Sequence, residues 1–197
     1  MSEVRLKDGT GKDYVAKVTN ENKLATKAVT ESELHHAIDL GNGWNMESGY
    51  LTLTSANASG VLYLKNTSTK IMHVDLYVIL TKASTGGAGG EVLVEVLRNP
   101  TGGTVISDAS DANPVNMNFS SSKTPSGVYY KGGEGKTFTG HDNAFVSKTT
   151  DDTRLLLGVL TVLPQGSALG VRLTPPTGNT SMEVNTIVEL YETPEAT

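Results

Sequence analysis

The chain has 197 residues, 37% of them hydrophobic and 19% charged, with a formal net charge of −5, 21 glycines, 7 prolines and no cysteine. A mildly acidic chain without a basic tract is a poor partner for nucleic acid or an anionic membrane surface, because neutralising phosphates takes clustered Lys and Arg. The lack of cysteine removes disulfides, thiolate metal sites and cysteine nucleophiles together, which suits assembly in a reducing cytoplasm. No stretch approaches the roughly 18 apolar residues of a membrane helix. The opening M-S-E-V-R-L-K-D-G-T has no apolar signal core, so the usual secretion route is not expected.

In chain order, residues Val4 to Val29 are polar and extended, with turn signals at Asp8-Gly9-Thr10-Gly11 and Asn20-Glu21-Asn22. Such a segment cannot bury a core of its own. Val4, Leu6, Val15, Val18, Leu24 and Val29 recur at intervals suited to strand addition or groove docking, so this arm is expected to bind a partner surface. One short helix follows, Glu31 to Leu40. Thr30 and Glu33 form a capping box at its start, Val29 and Leu34 a hydrophobic staple, and Gly41 and Gly43 stop it. Its stripe of Leu34, Ala37 and Ile38 is narrow, wide enough for a sheet edge or a symmetry mate but not for a bundle. The expected organisation is a docking arm with the helix over residues 1–43 and a β-sandwich over residues 44–197.

From Tyr50 onward the pattern is that of strands. Leu51 and Leu53 alternate with Thr, Val61 to Lys65 follows, and then comes His73 to Thr81. In that last run Val74, Leu76, Val78 and Leu80 are expected to face inward, with Ile79 the exception. Beyond the glycine-rich tip Thr85 to Gly90, Val92, Val94 and Val96 make another inward row, and Asn99 to Gly103 turns the chain into a further strand, Thr104 to Ser107. Asp108 to Asp152 reads as long surface loops with short strands, its apolar residues (Met117, Phe119, Val128, Phe138, Phe145) isolated.

Thr153 to Leu173 reads as a β-hairpin turning at Leu163-Pro164-Gln165-Gly166. Its first arm is apolar on both faces, with Leu155, Leu157 and Val159 on one and Leu156, Leu160 and Val162 on the other, so it needs two covers. One is the core; the other is either more of this chain or another copy of it, and in the second case Leu156, Leu160 and Val162 with Leu34 and Ile38 mark a subunit interface. Val184, Thr186, Val188 and Leu190 form a closing strand. About eight strands with long crossing loops are expected to make a mainly β fold, a jelly-roll-like β-sandwich.

Several groupings imitate chemistry. Gly132-Gly133-Glu134-Gly135-Lys136-Thr137 ends like a phosphate loop, but Tyr130 stands where the first glycine belongs and no helix is expected after it, so it is read as a surface turn. His35 and His36 are adjacent and diverge on a helix, so they cannot chelate one ion unaided. Asp108, Asp111, Asp142, Asp151 and Asp152 lack calcium-loop spacing and are read as turn residues. The sequons at Asn57, Asn66, Asn118 and Asn179 are read as composition. Trp44 is expected to close the core. With no nucleophile elbow or other catalytic motif, the expectation is a non-enzyme without metal or cofactor.

The segments V-R-L-K-D-G-T-G-K-D-Y-V-A-K-V-T-N-E-N-K-L-A-T-K-A-V, S-G-Y-L-T-L-T-S-A-N-A-S-G-V-L-Y-L-K-N and R-N-P-T-G-G-T-V-I-S together resemble virion structural proteins of tailed bacteriophages over most of residues 4–107. The closing L-P-Q-G-S-A-L-G-V-R-L-T-P-P and N-T-I-V-E-L-Y-E are similar to the last strands of viral jelly rolls. The resemblance implies a capsid decoration, cement or head-fibre protein in the virion. Its partners would be a major capsid protein or another virion protein and two further copies of itself, the homotrimer coming from the resemblance alone. A receptor- or glycan-binding module on a tail or baseplate is the alternative.

Overall fold

The computed structural model describes residues 17–18, 24–25, 32–81, 90–150, 154–158 and 161–193, with the backbone alone described at 17–18, 24–25, 76–78 and 80. The chain divides into two compact units, Met1–Ser32 and Glu33–Thr197. In the first, strand β1 (Lys17–Val18) pairs antiparallel with β2 (Leu24–Ala25), setting Val18 opposite Leu24.

The second unit is a β-sandwich. Helix α1 (Glu33–Asp39) leads into β3 (Gly43–Glu47), β4 (Leu51–Leu53), β5 (Ser59–Asn66), β6 (Ile71–Thr81) and β7 (Glu91–Arg98). A one-turn helix α2 (Thr104–Ser107) precedes β8 (Ser110–Asp111), β9 (Val115–Asn116), β10 (Gly127–Lys131) and β11 (Asp142–Thr150). The chain closes with β12 (Arg154–Leu157), β13 (Thr161–Leu163), β14 (Ala168–Thr174) and β15 (Met182–Thr193). One sheet has the order β11-β7-β14-β5-β10-β8; the other runs β12-β6-β15-β3-β9, with β13 also on β6 and β4 also on β15.

The winding follows from four antiparallel pairings among the main strands. The first, β3, pairs with the last, β15; β5 pairs with β14; β6 with β12 and β13; β7 with β11. A long antiparallel hairpin wound about a common core has these pairings, and that is a jelly-roll-like sandwich. Between the sheets lies one apolar core, with Trp44, Leu62, Leu64, Val94, Val171, Val188 and Leu190 among its buried residues. Val184, Thr186, Val188 and Leu190 are all fully buried, as their alternation predicts.

Four sequence expectations are corrected. Pro164 to Ser167 does turn, through the Ser167 N–H to Pro164 carbonyl bond at 3.0 Å and Gly166 at φ 82°, but its arms do not pair. β13 joins β6 in one sheet and β14 joins β5 and β7 in the other, so the turn carries the chain across the sandwich. Asn66 holds that corner: its side-chain amide donates to the Leu163 carbonyl at 2.7 Å and the Lys70 carbonyl at 2.8 Å, and the Gly166 N–H donates to the Asn66 carbonyl at 2.8 Å. In β6, Ile79 is core rather than the exception, and Thr81 is buried with it. The register skips Asp75 opposite Glu189 and Leu190, and this one bulged residue brings Ile79 and Thr81 onto the face that Met72 and Val74 occupy before it. Thr104–Ser107 is helical, not extended, so the chain has two short helices among the described residues. The middle, expected as long loops with short strands, does hold the short strands β8, β9 and β10, but one of its strands, β11, is long. β10 extends the six-stranded sheet beyond β5, and β11 is a nine-residue edge strand whose polar sequence reflects an exposed outer face.

Helix α1 starts two residues later than expected and packs on β3 and β15. Ala37 is buried, and Ile38 lies so close to Gly43 that a Cβ there would sit 2.7 Å from its side chain.

Candidate functional site

The outer face of the six-stranded sheet is covered at its middle by its own chain, with Val146 at the β11 edge 49% exposed. Tyr63, Leu97 and Ala168 point away from the main core and form a second cluster with Val105 of α2 and Phe138. The Phe138 ring rests on bare backbone: a Cβ on Gly60 would come within 2.8 Å of it and one on Gly170 within 3.0 Å. Tyr63 lies against Phe138 on one side and stacks with Tyr130 on the other, at ring separations of 6.2 and 5.8 Å. Thr104 and Thr137 clamp the cover, each hydroxyl accepting the other residue's backbone N–H at 2.8 and 3.2 Å. Beside it, Arg172 grips Glu95 with two bonds of 2.7 and 2.8 Å, and Asn143 adds a third at 3.2 Å. These donors, Arg172 foremost, hold the Glu95 carboxyl below the usual carboxylate range against the opposing effect of burial.

The phosphate-loop look-alike belongs to this cover. A Cβ on Gly132 would fall 1.9 Å from the Gly60 carbonyl oxygen, Gly135 turns at φ 66°, and Lys136 pairs with Asp108 at 3.0 Å. Its glycines serve backbone packing and a turn. Three of the four sequon asparagines are structural as well: Asn66 is fully buried, Asn179 donates to the Leu53 carbonyl at 2.8 Å, and Asn118 donates to the Asp39 carbonyl at 3.0 Å. Trp44 is 1% exposed, with its indole N–H donating to the Lys123 carbonyl at 3.0 Å. His35 and His36 are exposed on α1, and no group of three or more His, Cys, Asp or Glu suited to a metal ion occurs among the described residues.

The outer face of the seven-stranded sheet is finished differently. At the end nearest α1, His73 stacks on Tyr191 with ring centroids 4.7 Å apart, and its Nε2 lies 2.9 Å from the Thr193 hydroxyl. Tyr191 donates its hydroxyl to Glu33 at 3.3 Å. Burial lowers the His73 pKa, opposed by the charges of Glu33 and Asp75; burial and the nearby carboxylates push Tyr191 up to about 12. Glu189 is raised by burial and by Asp75. This end is an imidazole and a phenol stacked together and packed among carboxylates.

Of the residues expected at a subunit interface, Leu156 is 51% exposed and Val162 47% exposed, both on this outer face, while Leu155, Leu157 and Leu163 turn toward the core. Leu34 and Ile38 are half-buried on α1. Leu160 lies outside the described residues, as do the docking residues Val4, Leu6, Val15 and Val29; Val18 and Leu24 are register partners in the β1–β2 pair. The structure thus brings Leu156 and Val162 to one sheet edge, since β12 and β13 both pair with β6.

Sequence reasoning passed over the other exposed apolar residues. Phe119 is 96% exposed and Val115 62% exposed at the opposite edge of the same sheet, beside β3. Only their isolation among Asn and Ser could have marked them, and that equally describes a loop. The arrangement as a whole is a sandwich with one largely self-covered face and one face carrying exposed apolar residues at both edges. No model of a known protein family matches the chain, and no curated protein matches it.

Proposed function

We propose that the protein is a non-enzymatic structural component of a bacteriophage particle, a decoration or cement protein that binds the outer surface of the head as a homo-oligomer. The observation that carries this reading is the unequal finish of the two sheet faces: the chain covers the middle of one with Phe138 and α2, leaving Val146 exposed at its β11 edge, and leaves Leu156 and Val162 in water on two strands at one edge of the other. Exposed aliphatic residues on a regular strand offer a self-complementary surface for a symmetric oligomer. The small N-terminal unit supports the rest, since several such units on one oligomer would engage a lattice of identical subunits with avidity gains of roughly 10² to 10⁴ over a single contact. The jelly-roll-like winding agrees with the resemblance that suggested it, though such a fold hosts many functions.

Deleting residues 1–29 tests the mechanism. The truncated protein is expected to stay folded by circular dichroism yet fail to co-sediment with heads stripped of decoration, while His141→Ala and Lys136→Ala bind as the intact chain does. Full occupancy by the truncated protein would move the anchor into the sandwich. A second reading, a receptor-binding module on a tail or baseplate, has one observation in its favour: the exposed Phe119 ring. Recovery of the protein from purified tails rather than heads would select it.

A further inference from the structure

A cleft of about 420 Å³ opens on the outer face of the seven-stranded sheet at its β9 edge, within the range of roughly 300–1,000 Å³ typical of small-ligand sites. Asn45 and Glu47 project into it from β3, Asn113 and Val115 from the rim of β9, and Met117 and Phe119 from the loop that follows. The alternation of β3 explains the first pair: Trp44 and Met46 are buried inward, so Asn45 and Glu47 must face out. Val115 stands opposite Asn45 in the β3–β9 register.

The loop bearing Phe119 is held on several sides. Asn116 donates to the carbonyls of Gly41 at 2.9 Å and Lys123 at 3.1 Å, and accepts the Asn118 N–H at 2.9 Å. Asn118 donates to the Asp39 carbonyl at 3.0 Å and accepts the Ser120 N–H at 3.1 Å. Lys123 reaches back to the Leu40 carbonyl at 2.7 Å. The polar side chains of this loop are therefore spent on fixing its backbone, while its one aromatic ring is left in water. A ring held out on a pinned loop binds without the entropic cost of ordering that loop. By contrast, no hydrogen bond joins the Asn45 or Asn113 side chain to another described residue, and Glu47 has only a long 3.5 Å contact from Asn185.

We infer that this cleft is a binding site for a neutral oligosaccharide, with Phe119 as the platform for a sugar ring and Glu47, Asn45 and Asn113 as partners for its hydroxyls. A pyranose has the two surfaces that the cleft matches, an apolar C–H face for the ring and a rim of hydroxyls for a carboxylate and amides. A purely apolar ligand would strip water from Glu47 and both amides without replacing it. An anionic ligand would meet Glu47 and find no Lys or Arg in the lining. A peptide strand would have only the two residues of β9 to pair with, too short an edge for strand addition. The inference does not depend on where the protein sits on a particle, so it can fail while the decoration role stands, and the reverse.

The test uses the full chain and saturation-transfer NMR followed by calorimetry, with maltose, cellobiose, lactose and N,N′-diacetylchitobiose as probes and 3′-sialyllactose as the anionic comparator. At least one neutral disaccharide is expected to bind saturably, with affinity at least about tenfold lower in Phe119→Ala and in Glu47→Ala, and unchanged in Tyr50→Ala, which alters an exposed ring outside the cleft. Both cleft positions are solvent-exposed, so these variants keep the fold, which unchanged thermal unfolding will check. No binding by any neutral probe, undiminished binding by both variants, or preference for 3′-sialyllactose would overturn the inference. So would a Phe119→Ala variant that dissociates an oligomer while no sugar binds, which would make the ring a subunit contact.

Discussion

On the outer face of the six-stranded sheet, Tyr63, Leu97 and Ala168 are sealed beneath Phe138 and the turn of α2, whereas on the outer face of the seven-stranded sheet Leu156 and Val162 stand about half exposed. The two faces belong to one sandwich and share one core, so the difference is not a matter of how much apolar surface the fold can afford. It is a matter of what covers it. Part of the long excursion between β7 and β11, the α2 turn and Phe138, folds back as a lid on the first face, while the second is met by α1 at β3 and β15 and by β9 at its edge. A face closed by its own chain contributes to stability; a face left open is available for assembly.

The comparison breaks most visibly at Phe138. Phe138→Ala should cost about 3–5 kcal/mol in urea unfolding, because the ring fills a pocket floored by glycine backbone that has no side chain to collapse inward. A loss under about 1 kcal/mol, the scale of an exposed substitution, would mean the lid is not a true second core.

Next in size is the ion pair beside the lid. Arg172→Ala strands a Glu95 side chain that is only 8% exposed and is expected to cost about 2–4 kcal/mol, the guanidinium's own 22% exposure tempering the loss. Replacing both partners at once, Glu95→Gln with Arg172→Met, should recover much of that loss, since no unpaired charge remains. A double variant as unstable as the single would assign the effect to packing instead.

A pH dependence distinguishes the open face. Burial keeps His73 neutral, so the folded chain binds fewer protons there than the unfolded chain. Its contribution to stability is complete above the ordinary histidine value of about 6.5 and is lost as the pH falls through that value toward the lowered folded one. The unfolding temperature should therefore drop on acidification in this window, and His73→Phe, which retains a ring to stack on Tyr191, should flatten that slope. An unchanged slope would place the acid sensitivity elsewhere.

The smallest expected effect on the single chain is the sharpest for assembly. Leu156→Ala and Val162→Ala should each shift the chain's own stability by less than about 0.5 kcal/mol. Leu156→Asp with Val162→Asp should reduce the scattering mass from a multiple of 20.8 kDa to that value if these residues join copies of the chain. An oligomer that survives the double charge is held by another surface.

How much of this was legible in the residues differs by region. Strands whose inward rows are aliphatic, such as Val92-Val94-Val96 and Val184 to Leu190, could be read directly because a half-buried strand writes its burial as a period of two. So could the exposed pair, since Leu155 to Leu157 is apolar at consecutive positions and one face of it had to lie outside the core. The cleft could not: Asn45 and Glu47 are some 70 residues from Asn113 and Phe119, and only the β3–β9 pairing unites them. Nor could β11, where Phe145 alone packs against the core and the pattern of an exposed edge strand is that of a loop.

By itself, then, the sequence determined the β character of the chain, the sites of its turns and which short runs must be buried, because backbone preference and side-chain periodicity act locally. Tertiary structure decided the rest. Whether the arms of the Pro164 turn pair with each other or part into opposite sheets depends on Asn66, nearly a hundred residues away, whose amide is bonded to the Leu163 carbonyl. Which of Ile79 and its neighbours enters the core depends on a bulge set by β15. Both are outcomes of pairing between distant strands, and a one-residue slip in such a pairing reverses every side chain beyond it.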